Sequence, residues 1–159
     1  MGFRFYDSDR FNERRNCRSI AQIFSEDGEA SFREREVEAL RILSKYRNVV
    51  IATGGGAPMN GLNIARLRQR GIVVLLYADA EEILSRIPDR ASRPLLSGTD
   101  CPDLVVQSLL ESRMPAYRAA AHAVVETTGL SREDATTAVL DAYRRCAGDI
   151  SMDAKKSKP

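Results

Sequence analysis

Histidine, cysteine and long apolar runs are all scarce in this sequence, and each scarcity excludes a class of function. The single histidine, His122, cannot complete a metal site, and Cys17, Cys101 and Cys146 are far apart with no metal-ligand spacing among them. Three thiols so distributed predict a reduced, cytoplasmic protein. No apolar run approaches the ~20 residues of a membrane span, and no signal-peptide pattern opens the chain. An excess of one charge is missing too. The 24 basic and 22 acidic residues leave a net +2, which argues against a nucleic-acid or membrane-surface partner. Most of the basic residues are arginine, suited to two-pronged recognition of carboxylate or phosphate. No internal repeat is present, and 159 residues suffice for one domain with a sizeable core.

What is there centres on Asn48-Val49-Val50-Ile51-Ala52-Thr53-Gly54-Gly55-Gly56-Ala57-Pro58. The β-branched run predicts a strand buried on both faces, as in a parallel sheet. Glycines at its carboxyl end let the backbone approach a ligand where any Cβ would obstruct it. A nucleotide phosphate is not that ligand. Gly56 and Gly61 have the spacing of G-x-x-x-x-G-K-[ST], but Leu62 and Asn63 stand where lysine and a hydroxyl residue are required. The dinucleotide pattern G-x-G-x-x-G fails at Met59. A plain tight turn is the competing reading of the triplet.

Strands and helices alternate along the rest of the chain. Phe3 to Tyr6 reads as a strand ending in Asp7-Ser8-Asp9, whose two aspartates would share one face if the segment stays extended. Asp9 is also a candidate cap for a helix from Arg10, a role that leaves Asp7 unexplained. Ser19 to Gln22 is a capping box opening a short helix to about Gly28, and a longer helix follows from Glu29 to Tyr46. Arg33 and Glu36 lie one turn apart on it, which ordinarily means a solvated surface pair. A helix from Asn60 stops at Gly71, and Ile72 to Ala78 reads as a second fully buried strand. Asp79 caps another helix, broken at Pro88. The arginine-rich, proline-broken stretch from Arg86 to Thr99 is solvated loop charge or a lid that closes arginines over phosphates. Pro102 opens a helix reaching Tyr117, His122 falls at a helix end, and Val124 to Thr128 reads as a strand. Ser131 caps a last helix ending at Gly148, followed by a polar tail expected to be disordered. The fold class is therefore α/β, a parallel sheet flanked by helices, whose ligands bind at the carboxyl ends of the strands.

Six segments in order carry a resemblance to the shikimate kinases: Asp7-Ser8-Asp9, Ser19 to Phe24, Gly28 to Glu36, Ala52 to Ala57, Arg93-Pro94-Leu95-Leu96, and Arg113 to Tyr117. The resemblance runs from Phe5 to about Cys146. It implies a nucleoside-monophosphate-kinase-like fold around a five-stranded parallel sheet. It also implies transfer of the γ-phosphoryl of ATP to the 3-hydroxyl of shikimate, with Mg2+, in aromatic amino-acid biosynthesis. By the same resemblance Asp7 holds magnesium through water. Asp9 binds the ring hydroxyls and is the candidate base. Arg33 and Arg113 clamp the substrate carboxylate, Glu36 orients them, and Gly54, Gly55 and Gly56 lie against the substrate. Arg93 and Arg86 serve ATP. Phosphoryl transfer rests on positioning and charge neutralisation, which these residue types supply.

The family carries a strand and a phosphate loop ahead of Asp-x-Asp, and only six residues precede Asp7 here. The expectation is thus a P-loop kinase fold over residues 1–149 lacking that strand and loop, a tail over 150–159, and impaired turnover. A monomer is expected. A non-catalytic shikimate-binding module and a gluconate-type kinase of the same fold are the alternatives.

Overall fold

The computed structural model describes residues 2–87 and 101–156, with the side chains of the last helix described as far as residue 148. The chain forms two compact units. The first comprises residues 2–70, and the second residues 71–87 and 101–156.

In the first unit, strand β1 (Arg4–Asp7) leads into helix α1 (Ser8–Asn16) and the long helix α2 (Ile20–Leu43). Strand β2 (Val49–Ala52), a short 3-10 turn (Ala57–Met59) and helix α3 (Gly61–Arg70) complete it. The capping box is formed as read: Ser19 Oγ accepts the Gln22 N–H, and Gln22 Oε1 accepts the Ser19 N–H. The break expected near Gly28 is a kink inside α2, where Gly28 takes φ 80° and ψ 172°. A side chain would strain that backbone, so glycine permits the bend. Helix α2 buries Ile23, Phe32, Ala39, Leu40 and Leu43, an apolar stripe at helical spacing that forms most of this unit's core. Burial of each of the large side chains among these contributes about 1.5–3 kcal/mol.

Strands β1 and β2 pair in parallel, with Arg4 opposite Val49 and Asp7 opposite Ala52. A parallel pair ends on one edge, so Asp7-Ser8-Asp9 and the glycine triplet emerge side by side. That register is what positions the site.

The second unit pairs β3 (Val74–Tyr77) in parallel with β4 (Ala123–Glu126), adding helices α4 (Ala80–Ser85), α5 (Pro102–Ala120) and α6 (Arg132–Lys156). Its buried residues include Ala78, Leu84, Val106, Ala120, Val125 and Ala142. Asp79 and Ser131 cap their helices by accepting the N–H of Glu82 and of Asp134. His122 follows the end of α5 and latches the strand pair, its Nδ1 accepting the Val73 N–H at 2.9 Å while its own N–H donates to the Val73 carbonyl at 2.8 Å.

Helices flank parallel strands as expected, with one parallel pair described in each unit. Two expectations are corrected. Neither long apolar strand is buried on both faces: Val50 is 50% exposed and Leu76 57%. Gly148 does not end the last helix, which continues to Lys156. A glycine stop needs a left-handed backbone, and Gly148 is not among the positive-φ glycines.

Candidate functional site

The aspartates do not share an extended face, because the helix begins earlier than expected. Asp7, not Asp9, is the N-cap of α1: its Oδ1 accepts the N–H groups of Asp9 and Arg10, each at 2.9 Å. A carboxylate there satisfies donors the helix leaves open and meets the positive end of its dipole. Asp9 sits half-buried in the first helical turn. Between them Ser8 is 2% exposed, and its Oγ accepts the Gly54 N–H at 3.3 Å. This hydroxyl ties the start of α1 to the glycine triplet.

The triplet forms a turn, closed by the Ala57 N–H donating to the Gly54 carbonyl at 3.1 Å. At two of its glycines, side chains approach the backbone closely. A Cβ on Gly54 would lie 3.2 Å from Asp9 Oδ1 and 3.4 Å from Glu36 Oε1. A Cβ on Gly56 would overlap the Arg33 guanidinium, at 2.6 Å from Cζ and 2.9 Å from Nη2. The turn thus gathers Asp9, Glu36 and Arg33 against its backbone, while Gly55 stands exposed.

Arg33 and Glu36 are not the solvated pair that their spacing suggests. Glu36 is 3% exposed, and the Arg33 Nη1 donates to both its oxygens at 3.3–3.4 Å. Glu29, one turn earlier, accepts from Arg33 Nε at 3.2 Å and Nη2 at 2.9 Å through Oε1. Burial works against the Arg33 charge, but the Glu29 hydrogen bond and then the attraction of Glu36 outweigh it and hold its pKa above the ordinary value. The result is a guanidinium fixed between two carboxylates, with a third carboxylate, Asp9, across the glycine turn. Such a set binds a small anion through the arginine and hydroxyl groups through the carboxylates.

The stretch from Gly56 to Asn63 gives nothing to a nucleotide. Asn63, at the hydroxyl position of the phosphate-loop pattern, is 0% exposed and donates to the Ala57 carbonyl at 3.3 Å. Leu62 caps nothing and is 61% exposed.

The remaining sequence candidates fall elsewhere. Arg93 lies outside the described residues, as does most of the arginine-rich stretch. Arg86 is described, and it braces the second unit: Nε meets Glu82 at 2.8 Å, and Nη1 and Nη2 donate to Thr127 at 3.2 and 2.7 Å. Arg113 is half-buried on α5, with no ion-pair partner among the described residues. Two residues were missed from sequence. Ser8 was legible only as the middle of Asp-x-Asp, and Glu29 only as an acid one turn before Arg33.

A family model described as "Shikimate kinase" matches residues 1–144. A shikimate kinase of Psychrobacter cryohalolentis is 42% identical over 158 residues, covering 99% of this chain and 84% of that protein. One from Caldanaerobacter subterraneus subsp. tengcongensis is 38% identical over 148 residues, covering 93% and 85%. Among solved structures, shikimate kinase from Acinetobacter baumannii in complex with shikimate superposes with a TM-score of 0.78 at 34% identity, covering 99% of this chain and 82% of that one. The enzyme from Aquifex aeolicus gives 0.76 at 34% identity, with 91% and 83% covered. The gathered acid–arginine–glycine arrangement and these matches agree, and the chain belongs to the shikimate kinase family.

Proposed function

We propose that the first unit holds shikimate against Gly54 and Gly56, with Arg33 on the carboxylate and Asp9 on the ring hydroxyls. One observation carries this reading: Asp9 and the Arg33–Glu36 pair, far apart in sequence, converge on two glycines where a Cβ would crowd them. As a member of its family the chain is an ATP-dependent kinase, and the acceptor is the 3-hydroxyl of the bound ring. Asp9 accepts the proton of that hydroxyl as the phosphoryl group arrives. Buried Glu36 holds Arg33 in place, so the carboxylate meets a guanidinium that needs no reordering.

A magnesium ion fits the chemistry of Asp7. Its Oδ1 is committed to the cap of α1, leaving Oδ2 for a cation held through water. When bound, the ion neutralises phosphate charge. Arg113 as second clamp, Gly55 against the substrate, and Arg86 and Arg93 toward ATP follow from the motif pattern alone. The thiols of Cys17, Cys101 and Cys146, none of them in a disulfide, suit a reducing, cytoplasmic setting. Among the described residues no helix is long and apolar enough to cross a membrane.

Calorimetric titration of shikimate tests the binding half of this reading. Binding is expected, and Arg33→Ala is expected to weaken it by about 2–5 kcal/mol, since a desolvated carboxylate loses its partner. No heat from the wild-type chain refutes the reading. A coupled ADP-release assay tests the transfer half. Shikimate-dependent turnover supports it, and binding without turnover selects a non-catalytic binding module instead.

A further inference from the structure

Arg33 donates through two distinct edges. Nη1 faces the buried Glu36, and the guanidinium lies close to Gly56. The Nε–Nη2 edge is the pair of parallel donors that a ligand carboxylate takes side-on. In this structure that edge is filled, because Nε and Nη2 both donate to Glu29 Oε1. The two acids differ in standing: the Glu29 side chain is 58% exposed and Glu36 3%. Glu36 cannot leave without stranding a buried charge, whereas Glu29 can turn into water at little cost. It also sits directly after the Gly28 kink, at the start of the second helical segment of α2.

We propose that Glu29 is an internal carboxylate that occupies the substrate-facing edge of Arg33 and must be displaced by the carboxylate of the ligand. Glu29 thereby keeps the guanidinium oriented and its charge partnered between binding events, and it lowers the affinity for the anion that replaces it. The inference rests on the assignment of Arg33 as a carboxylate clamp. It differs from a merely orienting role in sign: an orienting acid strengthens binding, and a competing acid weakens it.

The test is a calorimetric cycle with shikimate on the full chain. Glu29→Gln is expected to tighten binding about two- to five-fold, the range of an exposed ion pair removed from competition. The gain should vanish in the Arg33→Ala background and should be absent for shikimate methyl ester, which has no carboxylate charge. Glu34→Gln makes the same charge change on an exposed residue of the same helix, and it should leave affinity unchanged. Circular dichroism checks each variant, with Arg33→Lys replacing Arg33→Ala should the latter not fold. Unchanged or weaker binding by Glu29→Gln overturns the proposal while leaving the clamp intact, provided Arg33→Ala still weakens binding. An equal gain from Glu34→Gln also overturns it, because general charge would then be the cause. Wild-type affinity in Arg33→Ala overturns the clamp itself, and the proposal with it.

Discussion

Replacing Gly56 with alanine should damage the site far more than its single methyl group suggests. The new Cβ would lie 2.6 Å from Arg33 Cζ and 2.9 Å from Nη2, with Nη1 closer still. Carbon contacts settle near 3.5–4.0 Å, so the guanidinium must retreat by about 1 Å or more. Its bonds to Glu36 are already long, at 3.3–3.4 Å, and a shift of that size breaks them. Glu36 is 3% exposed and would lose its bonds to Arg33. Truncating one partner of a fully buried pair costs about 3–5 kcal/mol. Arg33 is displaced rather than truncated, and the clashing atoms are the far end of a flexible side chain that keeps 31% exposure, so the expected loss of stability is only about 0–1 kcal/mol. A displaced clamp should also weaken shikimate binding by about 1–3 kcal/mol, or roughly 10- to 100-fold. The control is Gly61→Ala at the start of α3, where a Cβ meets nothing within 4 Å. Denaturant unfolding and calorimetry read both variants. Equal stability and equal affinity in the two would refute the reasoning, because contact with Arg33 is the difference between them.

Ser8→Ala removes the acceptor of the Gly54 N–H in a buried position, and should cost about 1–2 kcal/mol of stability with a parallel loss of shikimate affinity. Ser8→Thr, which keeps a hydroxyl, should recover part of the affinity if the bond rather than the volume matters. Asp27 receives hydrogen bonds from Arg18 and Arg35, and the Arg18 bond chiefly holds its carboxyl below the ordinary 3.8. A depressed folded pKa gives stability that is present above the unfolded value and lost as pH falls through the folded one. Acid unfolding should therefore flatten below pH 3.8 in Asp27→Asn relative to wild type, and identical acid profiles would contradict the pairing.

The elements were legible because their signals are local. The capping box at Ser19, the caps at Asp79 and Ser131, the break at Gly28 and Pro102 at a helix start each depend on a few adjacent residues. Burial was not legible, since the exposure of Val50 and Leu76 depends on which strands stand beside them. Asp7 was misread for a similar reason. Whether the helix begins two residues earlier or later decides which aspartate becomes the cap, and element boundaries are weakly encoded. The pairing of Arg33 with Glu36 was visible as spacing, but its burial was not. Spacing sets which side chains can meet, and the glycine turn packed against them accompanies the burial of the Glu36 carboxylate. Glu29 and Ser8 escaped notice because each acts through a partner: Glu29 through Arg33, and Ser8 through a backbone N–H 46 residues away.

The central claim is that shikimate lies against the glycine turn beside Asp9 and Arg33. The most direct test is a shikimate titration of isotope-labelled chain followed by nuclear magnetic resonance. The account predicts saturable shifts of the Gly54, Gly55 and Gly56 amide signals together with the Arg33 Nε–H. Saturable binding that leaves those four signals unmoved would contradict it.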